Sequence, residues 1–279
     1  MQQAIQYIQS TLSNLYSELE IKAITRLLLS KLTDYNFTEI IINKNTIFSA
    51  NQRLELEQYL NNLQNGMPIQ YVLGETEFCG LNFMVNESVL IPRPETEELV
   101  NWVVQKVKND IKILDIGTGS GCIAIALKHF LPNASVHACD ISKDSLQLAQ
   151  YNAQSLRQKI NFFQLDILNA TDFKEQYDVI VSNPPYIPIA ERADIARHVK
   201  DFEPAQALFV PDDDPLVFYR NIALFAQERL NNGGILFFEV HRDFGEAVVS
   251  LLHASGFVNT VLKQDIAGNH RMVMAERHS

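Results

Sequence analysis

Apolar residues recur at two different spacings along the chain. From Ala4 to about Leu63 the spacing is helical: Ile5, Ile8 and Leu12, then Ile21, Ile24, Leu27 and Leu28, then Leu54, Leu56, Tyr59, Leu60 and Leu63. Polar breaks near Ser13-Asn14, Asp34-Tyr35-Asn36 and Asn43-Lys44-Asn45 divide this region into four or five short helices, and Gly66-Met67-Pro68 ends it. Between Gly74 and Leu90 the pattern turns to β, with Phe78, Leu81, Phe83, Val85 and Val89 apolar. Turn residues at Gly80-Leu81-Asn82 and Asn86-Glu87-Ser88 make a hairpin the simplest reading. After Arg93 helix and strand alternate to the end. Helices are predicted over 95–108, 122–130, 143–157, 215–230 and 245–254; strands over 112–116, 135–139, 160–164, 178–182, 235–240, 258–262 and 271–275. Such alternation implies an α/β fold with a mostly parallel sheet covered on both faces. The expected domains are a helical bundle over 1–73, a β-hairpin linker over 74–91 and an α/β domain over 92–279.

Composition narrows the function classes. With 279 residues, 47% of them hydrophobic, the chain can fill one large core or a large and a small one. The formal charge is −10 and the 23 basic residues are scattered, so the sequence carries no electrostatic footprint for duplex DNA. The first 75 residues hold 5 basic and 7 acidic side chains and are no nucleic-acid arm. Cys79, Cys122 and Cys139 lack paired spacing, and the seven histidines are dispersed, so neither a disulfide framework nor a metal site is expected. No apolar stretch approaches the roughly 20 residues of a membrane span, and the polar start does not read as a signal peptide. The expected location is the cytoplasm.

Two motifs carry chemistry. The first is a buried strand, Ile111 to Ile116, followed by Gly117-Thr118-Gly119-Ser120-Gly121 and an apolar, alanine-rich helix. Glycines at a strand-to-helix turn let a ligand approach the backbone and tolerate positive φ. The spacing is G-x-G-x-G rather than the dinucleotide G-x-G-x-x-G, which disfavours NAD and suits a smaller nucleoside without a pyrophosphate. The next strand, Ser135 to Cys139, ends in Asp140, about 20 residues past the glycines, the offset at which a carboxylate takes ribose hydroxyls. The second motif is Asn183-Pro184-Pro185-Tyr186 after the apolar run Tyr177 to Ser182. The two prolines fix φ, remove two backbone donors and hold the residues before them extended, leaving carbonyls free to accept. Asn183 adds an amide acceptor and two donors, and Tyr186 a flat wall. The turn can hold a planar NH2-bearing group. Read alone, it is equally a rigid Pro-Pro connection without chemistry; glycine loop, acidic strand end and Asn-Pro-Pro-Tyr in that order tilt the balance.

These residues together resemble a class I S-adenosylmethionine-dependent methyltransferase acting on a planar nitrogen. Val89 to Glu97 (V-L-I-P-R-P-E-T-E), Phe202-Glu203-Pro204, Tyr219-Arg220 and Asp265-x-x-Gly268-x-x-Arg271 resemble the release-factor glutamine methyltransferases (the HemK/PrmC family). The likeness runs from about Gly66 to Arg271; the bundle agrees in length and helical character. It implies a Rossmann-like, seven-stranded doubly wound sheet of order 3-2-1-4-5-7-6 with an antiparallel last strand. It implies S-adenosyl-L-methionine held by Gly117, Thr118, Gly119, Ser120, Gly121, Asp140, Asp166, Ile167 and Asn183. In this reading Asp140 takes the ribose, while Asp166 and Ile167 lie at the adenine. Asp115 either holds the glycine turn or meets the cofactor.

For the reaction, the resemblance assigns Asn183, Pro184 and Tyr186 as catalytic, and Asn183, Pro184, Pro185 and Tyr186 as substrate-binding. Asn183 and the Pro184 carbonyl would hold the two hydrogens of a carboxamide, with Tyr186 stacked on it. No base of near-neutral pKa stands in the motif, so orientation has to supply the rate, and it can contribute about 7–11 kcal/mol. Arg93 and Glu95 would border the cleft, and Phe202-Glu203-Pro204 would cover the substrate channel. The implied substrate is the Gly-Gly-Gln glutamine of class 1 peptide chain release factors. The chain would act as a monomer, with no direct nucleic-acid partner and no membrane, and its bundle would recognise the substrate protein or steady the catalytic domain rather than do chemistry. A glutamine in a ribosomal protein, an exocyclic amine of a base, and a non-catalytic cofactor-binding module are the alternatives. The sequence departs from the family pattern at Pro211-Asp212-Asp213-Asp214-Pro215, at Val240-His241 and at Phe244.

Overall fold

In the computed structural model, residues 1–108, 110–170 and 173–278 are described. The polar breaks in the first 65 residues turn out to be helix caps. Helices α1 (Gln2–Leu12), α2 (Glu18–Thr33), α3 (Phe37–Ile42), α4 (Ala50–Gln64) and α5 (Ile69–Leu73) follow one another, and α2, α3 and α4 each begin with a capping box. In these boxes Ser17 pairs with Glu20, Asn36 with Glu39 and Ser49 with Gln52, each pair satisfying two otherwise orphaned backbone donors. The apolar stripe of α2 is Ile21, Ile24, Leu28, Leu29 and Leu32; it joins Ile8, Leu12, Leu56, Leu60 and Leu63 in one core. Leu27 and Leu54, expected inside, are exposed. Leu27 is six residues past Ile21, off the i, i+3, i+4, i+7 stripe. Helix α5 was unforeseen because Pro68 reads as a stop, whereas here it stands at the N-terminal boundary, where its missing N–H costs nothing. This helical unit comprises Met1–Glu75 together with Ala196–Phe202.

The second unit comprises Thr76–Ile195 and Glu203–Ser279. It starts with a hairpin, β1 (Glu75–Phe78) and β2 (Leu81–Met84), whose Phe78 and Phe83 meet edge-on at 6.0 Å within the unit's own core. The hairpin is thus packed structure, narrower than the predicted 74–91. Helix α6 (Pro94–Lys106) leads to β3 (Lys112–Ile116), α7 (Cys122–Phe130), β4 (Ser135–Asp140), α8 (Lys143–Ser155), β5 (Asn161–Gln164) and β6 (Tyr177–Ser182). Beyond it come β7 (Ile187–Pro188), the single turn α9 (Arg197–Lys200), which belongs to the helical unit, the single turn α10 (Ala205–Leu208), and β8 (Phe209–Val210). The chain finishes with α11 (Val217–Arg229), β9 (Leu230–Glu239), α12 (Gly245–Ala254), β10 (Phe257–Gln264) and β11 (His270–Arg277).

Seven strands form one sheet in the order β10-β11-β9-β6-β3-β4-β5, with β11 antiparallel to both neighbours and the others parallel. Numbered within the sheet, this is the expected 3-2-1-4-5-7-6. Successive residues go to opposite faces. Ile113, Val179 and Phe237 pack with α6 and α7, whereas Leu114, Ile180 and Phe238 pack with α11 and α12. The order reverses at β3, so the carboxyl ends of β3, β4 and β6 open a crevice, the usual ligand position in such sheets. Strand β9 starts five residues before its predicted start. Asn231 to Gly234 reads as a turn and falls at an irregularity of the register: Tyr177 pairs with Leu230 and Val179 with Ile235, so the four residues between lie outside the pairing.

Candidate active site

Tight packing and backbone bonds shape the glycine turn. The N–H groups of Gly117 and Thr118 both donate to the Cys139 carbonyl, at 2.9 and 3.0 Å, tying the turn to β4. Asp115, fully buried, accepts from the Thr118 hydroxyl at 2.6 Å and from the Ala124 N–H at 3.2 Å through one oxygen; its other oxygen has no partner among the described residues. Burial pushes its carboxyl up to about 7. It holds the turn and is not among the residues that line the cleft. A Cβ on Gly117 or Gly119 would meet nothing within 4 Å, and both have positive φ. Gly121 differs: its Cβ would come within 3.0 Å of Ile125 Cδ1 and 3.1 Å of Ala149 Cβ. Gly121, expected at the cofactor, packs between α7 and α8 and is not among the residues that line the cleft.

Gly117, Thr118, Gly119, Ser120, Asp140, Asp166, Ile167, Asn183, Pro184 and Pro185 all line one cleft. Asp140 accepts from Gly119 N–H at 2.9 Å and from Ser142 N–H at 2.9 Å, through different oxygens, so it aims at the glycine turn from the end of β4. Burial raises its pKa while the backbone donors oppose the rise. Asp166 caps a single 3-10 turn, accepting from Leu168 N–H at 3.0 Å, and sets Ile167 against the cleft. Cys122 lines the cleft too, but burial pushes its thiol up to about 12, so it is no nucleophile. Arg93 borders the cleft and pairs with buried Glu203, which also accepts from Ile91 N–H at 3.0 Å. Pro204 and Ala207 extend the same wall, whereas Glu95 is outside it.

Tyr186 departs from its assigned place. It is not among the cleft-lining residues; its hydroxyl donates to Glu239 at 3.2 Å and its ring meets His241 at 5.9 Å. A half-buried phenol needs an acceptor, and the buried Glu239 carboxylate supplies one. The histidine at the unusual position 241 also approaches Glu191 at 3.3 Å.

Thr96, Glu239 and Asn152 make polar bonds at the site that no motif in the sequence indicates. Asn183 Nδ2 donates to Thr96 Oγ1 at 3.3 Å, and Thr96 donates to Glu239 at 2.6 Å. Asn152, buried in α8, donates to the carbonyls of Ser120 at 2.9 Å and Met84 at 3.0 Å, and accepts from Met84 N–H at 2.8 Å. The available signal was a polar or charged residue on an apolar face or run, where such groups occur only when paired.

Residues 3–74 match the family model of the PrmC N-terminal domain, and residues 95–202 that of the methyltransferase small domain. A release factor glutamine methyltransferase of Flavobacterium psychrophilum is 44% identical over 96% of this chain and 95% of its own. One of Bacteroides thetaiotaomicron is 41% identical over 97% and 98%. Among solved structures, a methyltransferase from Pyrococcus furiosus shares the fold, with a TM-score of 0.56 at 15% identity, covering 78% of this chain and 100% of that one. The chain belongs to the release factor glutamine methyltransferase family.

Proposed function

We infer that this methyltransferase transfers a methyl group from S-adenosyl-L-methionine to the side-chain amide nitrogen (N5) of the Gly-Gly-Gln glutamine in class 1 peptide chain release factors, modulating translation termination. One observation carries the reading. Asn183 and Pro184, at the end of β6, open onto the same cleft as the bare backbone of Gly117 and Gly119 at the end of β3.

The residues fit the cofactor. The two glycines leave open space where any other side chain would stand, and Asp140 presents a carboxylate beside them that can accept from ribose hydroxyls. Ile141, Ile167 and Leu168 give an apolar wall for a base. When bound, the cofactor supplies a methyl group activated by a positively charged sulfur. The protein's own part is to hold the substrate NH2. Asn183 accepts one of its hydrogens and the Pro184 carbonyl the other, which fixes the direction of the nitrogen lone pair. Orientation and exclusion of water would then supply the rate, the nitrogen taking the methyl as the carbon–sulfur bond breaks and losing one of its two protons during or after the transfer. The wall formed by Pro92, Arg93, Pro204 and Ala207, clamped by buried Glu203, supplies the exclusion.

The helical unit is assigned to recognition of the release factor, and the chain is taken to act as a cytoplasmic monomer without direct nucleic-acid contact. Among the described residues no helix is long and apolar enough to cross a membrane. Parallel incubations with isotopically labelled S-adenosylmethionine and a purified class 1 release factor, ribosomal proteins or nucleic acid, followed by mass spectrometry of the labelled product, test the reading. A methyl on the Gly-Gly-Gln glutamine is expected. Label found only on a ribosomal protein or on nucleic acid would overturn it.

A further inference from the structure

We propose that Thr96 and Glu239 are positioning residues that fix which end of the Asn183 amide faces the substrate. The proposal rests on the glutamine-amide reading above and deepens it.

The two ends of a primary amide have the same shape, so packing alone does not choose between them. The choice matters here. A substrate NH2 offers two donors and needs acceptors, and Asn183 turned the wrong way would oppose NH2 to NH2. The structure makes the choice through hydrogen-bond direction. Glu239 closes β9 at 1% exposure and accepts twice, from Thr96 at 2.6 Å and from Tyr186 at 3.2 Å. Thr96, at 3% exposure near the start of α6, owns one hydroxyl proton and gives it to that carboxylate. Its oxygen is then left only to accept, so it selects the nitrogen end of Asn183, 3.3 Å away. The Asn183 oxygen is thereby turned to the other side. An acceptor-only carboxylate thus dictates, across two hydrogen bonds, an acceptor toward the substrate.

The charge on Glu239 is what holds the direction. The groups that act on it are the Thr96 and Tyr186 hydroxyls and the Arg271 guanidinium, which favour the carboxylate, and Glu95 and burial, which oppose it. Arg271 is itself held by Asp265 at 3.1 Å, and Tyr219 donates to the Glu239 backbone carbonyl at 3.2 Å. A protonated Glu239 would donate to Thr96, reverse the hydroxyl and favour the flipped amide.

Full-length Glu239→Gln, Thr96→Val and Thr96→Ser decide the matter with S-adenosylmethionine and a release factor. Glu239→Gln and Thr96→Val should each lower kcat about 10- to 100-fold. Cofactor affinity, measured by calorimetry without substrate, should stay within about twofold. Thr96→Ser, which keeps the hydroxyl, should restore most of the rate. The double variant should be no worse than the poorer single one, because both break a single chain of bonds. Additive losses, or wild-type kcat in Thr96→Val, would overturn the proposal, as would cofactor affinity falling in step with kcat. Should Glu239→Gln fail to fold, the Thr96 pair decides alone. A wild-type chain that leaves the glutamine unmethylated would sink the glutamine reading itself; an active wild type with undiminished variants would sink only the positioning role.

Discussion

The turn after β3 and the turn after β6 stand side by side, since Ile116 and Ser182 are paired at the ends of these parallel strands, yet they are built in opposite ways. The first offers the cleft bare backbone. Its shape comes from Gly117 and Gly119, from N–H bonds to Cys139 and from Asp115 beneath it. The second offers side-chain and proline groups whose direction is set by Thr96 and Glu239 on distant elements. A backbone site recognises a ligand common to many enzymes by leaving room for it. A side-chain site recognises a particular reacting group by choosing donors and acceptors. The first should therefore fail by losing affinity and the second by losing rate.

The largest expected effect breaks the second turn. Asn183→Ala removes the acceptor for the reacting amide, and turnover should fall by about 10²–10³, the usual cost of deleting one oriented hydrogen-bonding group. Cofactor affinity should change by no more than about threefold. Steady-state kinetics set beside calorimetry measures both, and a parallel loss of the two would show that Asn183 serves the cofactor instead. Asp140→Asn is the counterpart on the first side. It keeps the shape but loses a charged acceptor, so cofactor affinity should drop about 10- to 100-fold, from hydrogen bonds to a charged group worth about 1.5–3 kcal/mol. At saturating cofactor kcat should recover. A persistent kcat defect would mean that Asp140 acts on the reaction step.

The same contrast explains what the sequence reveals. Helices over 122–130 and 245–254 and the strand over 112–116 are read with their observed ends, because periodicity and glycine punctuation act locally. The glycine turn, Asp140 and Asn-Pro-Pro-Tyr are legible for the same reason: each is contiguous, and its chemistry resides in adjacent residues. Thr96 and Glu239 are not. Thr96 lies 87 residues from Asn183 and 143 from Glu239, and spacing in the chain says nothing about a bond of that range. The same gap hides the bond from Tyr186 to the buried Glu239, 53 residues away. The two-residue strands β7 and β8 pair Ile187 with Phe209 and are too short to carry a period.

Within the glycine turn the contrast can be sharpened further. Gly119→Ala puts a methyl into open space, and Gly121→Ala puts one 3.0 Å from Ile125 Cδ1 and 3.1 Å from Ala149 Cβ. Both carry the backbone strain of positive φ, about 1–2 kcal/mol. Gly121→Ala should add an overpacking cost of about 1–3 kcal/mol, read as a lower denaturant midpoint at unchanged m. Gly119→Ala should unfold at higher denaturant than Gly121→Ala yet bind cofactor more weakly, because its methyl occupies the ligand's space. Equal stabilities would remove the separation between a ligand-facing and a packing glycine.

The smallest effect concerns Tyr186→Phe, which keeps the ring and deletes one donor to Glu239. The bond is 3.2 Å long, beyond the usual O–H···O range, so it stands at the low end of the about 1.5–3 kcal/mol of hydrogen bonds to charged groups, and kcat near neutral pH should fall about tenfold. The pH profile carries more information than the rate. Burial raises the Glu239 pKa, and the Tyr186 hydroxyl works against that rise. Without the hydroxyl the pKa goes higher still. If the ionised form holds Thr96 and Asn183 in the productive direction, activity is present above this pKa and lost as the pH falls through it. The acidic limb of the kcat profile should then move to higher pH in Tyr186→Phe and flatten in Glu239→Gln, which has no proton to gain. A loss as large as that of Asn183→Ala, with no movement of the limb, would place the Tyr186 hydroxyl on the substrate and return the residue to the role its motif first suggested.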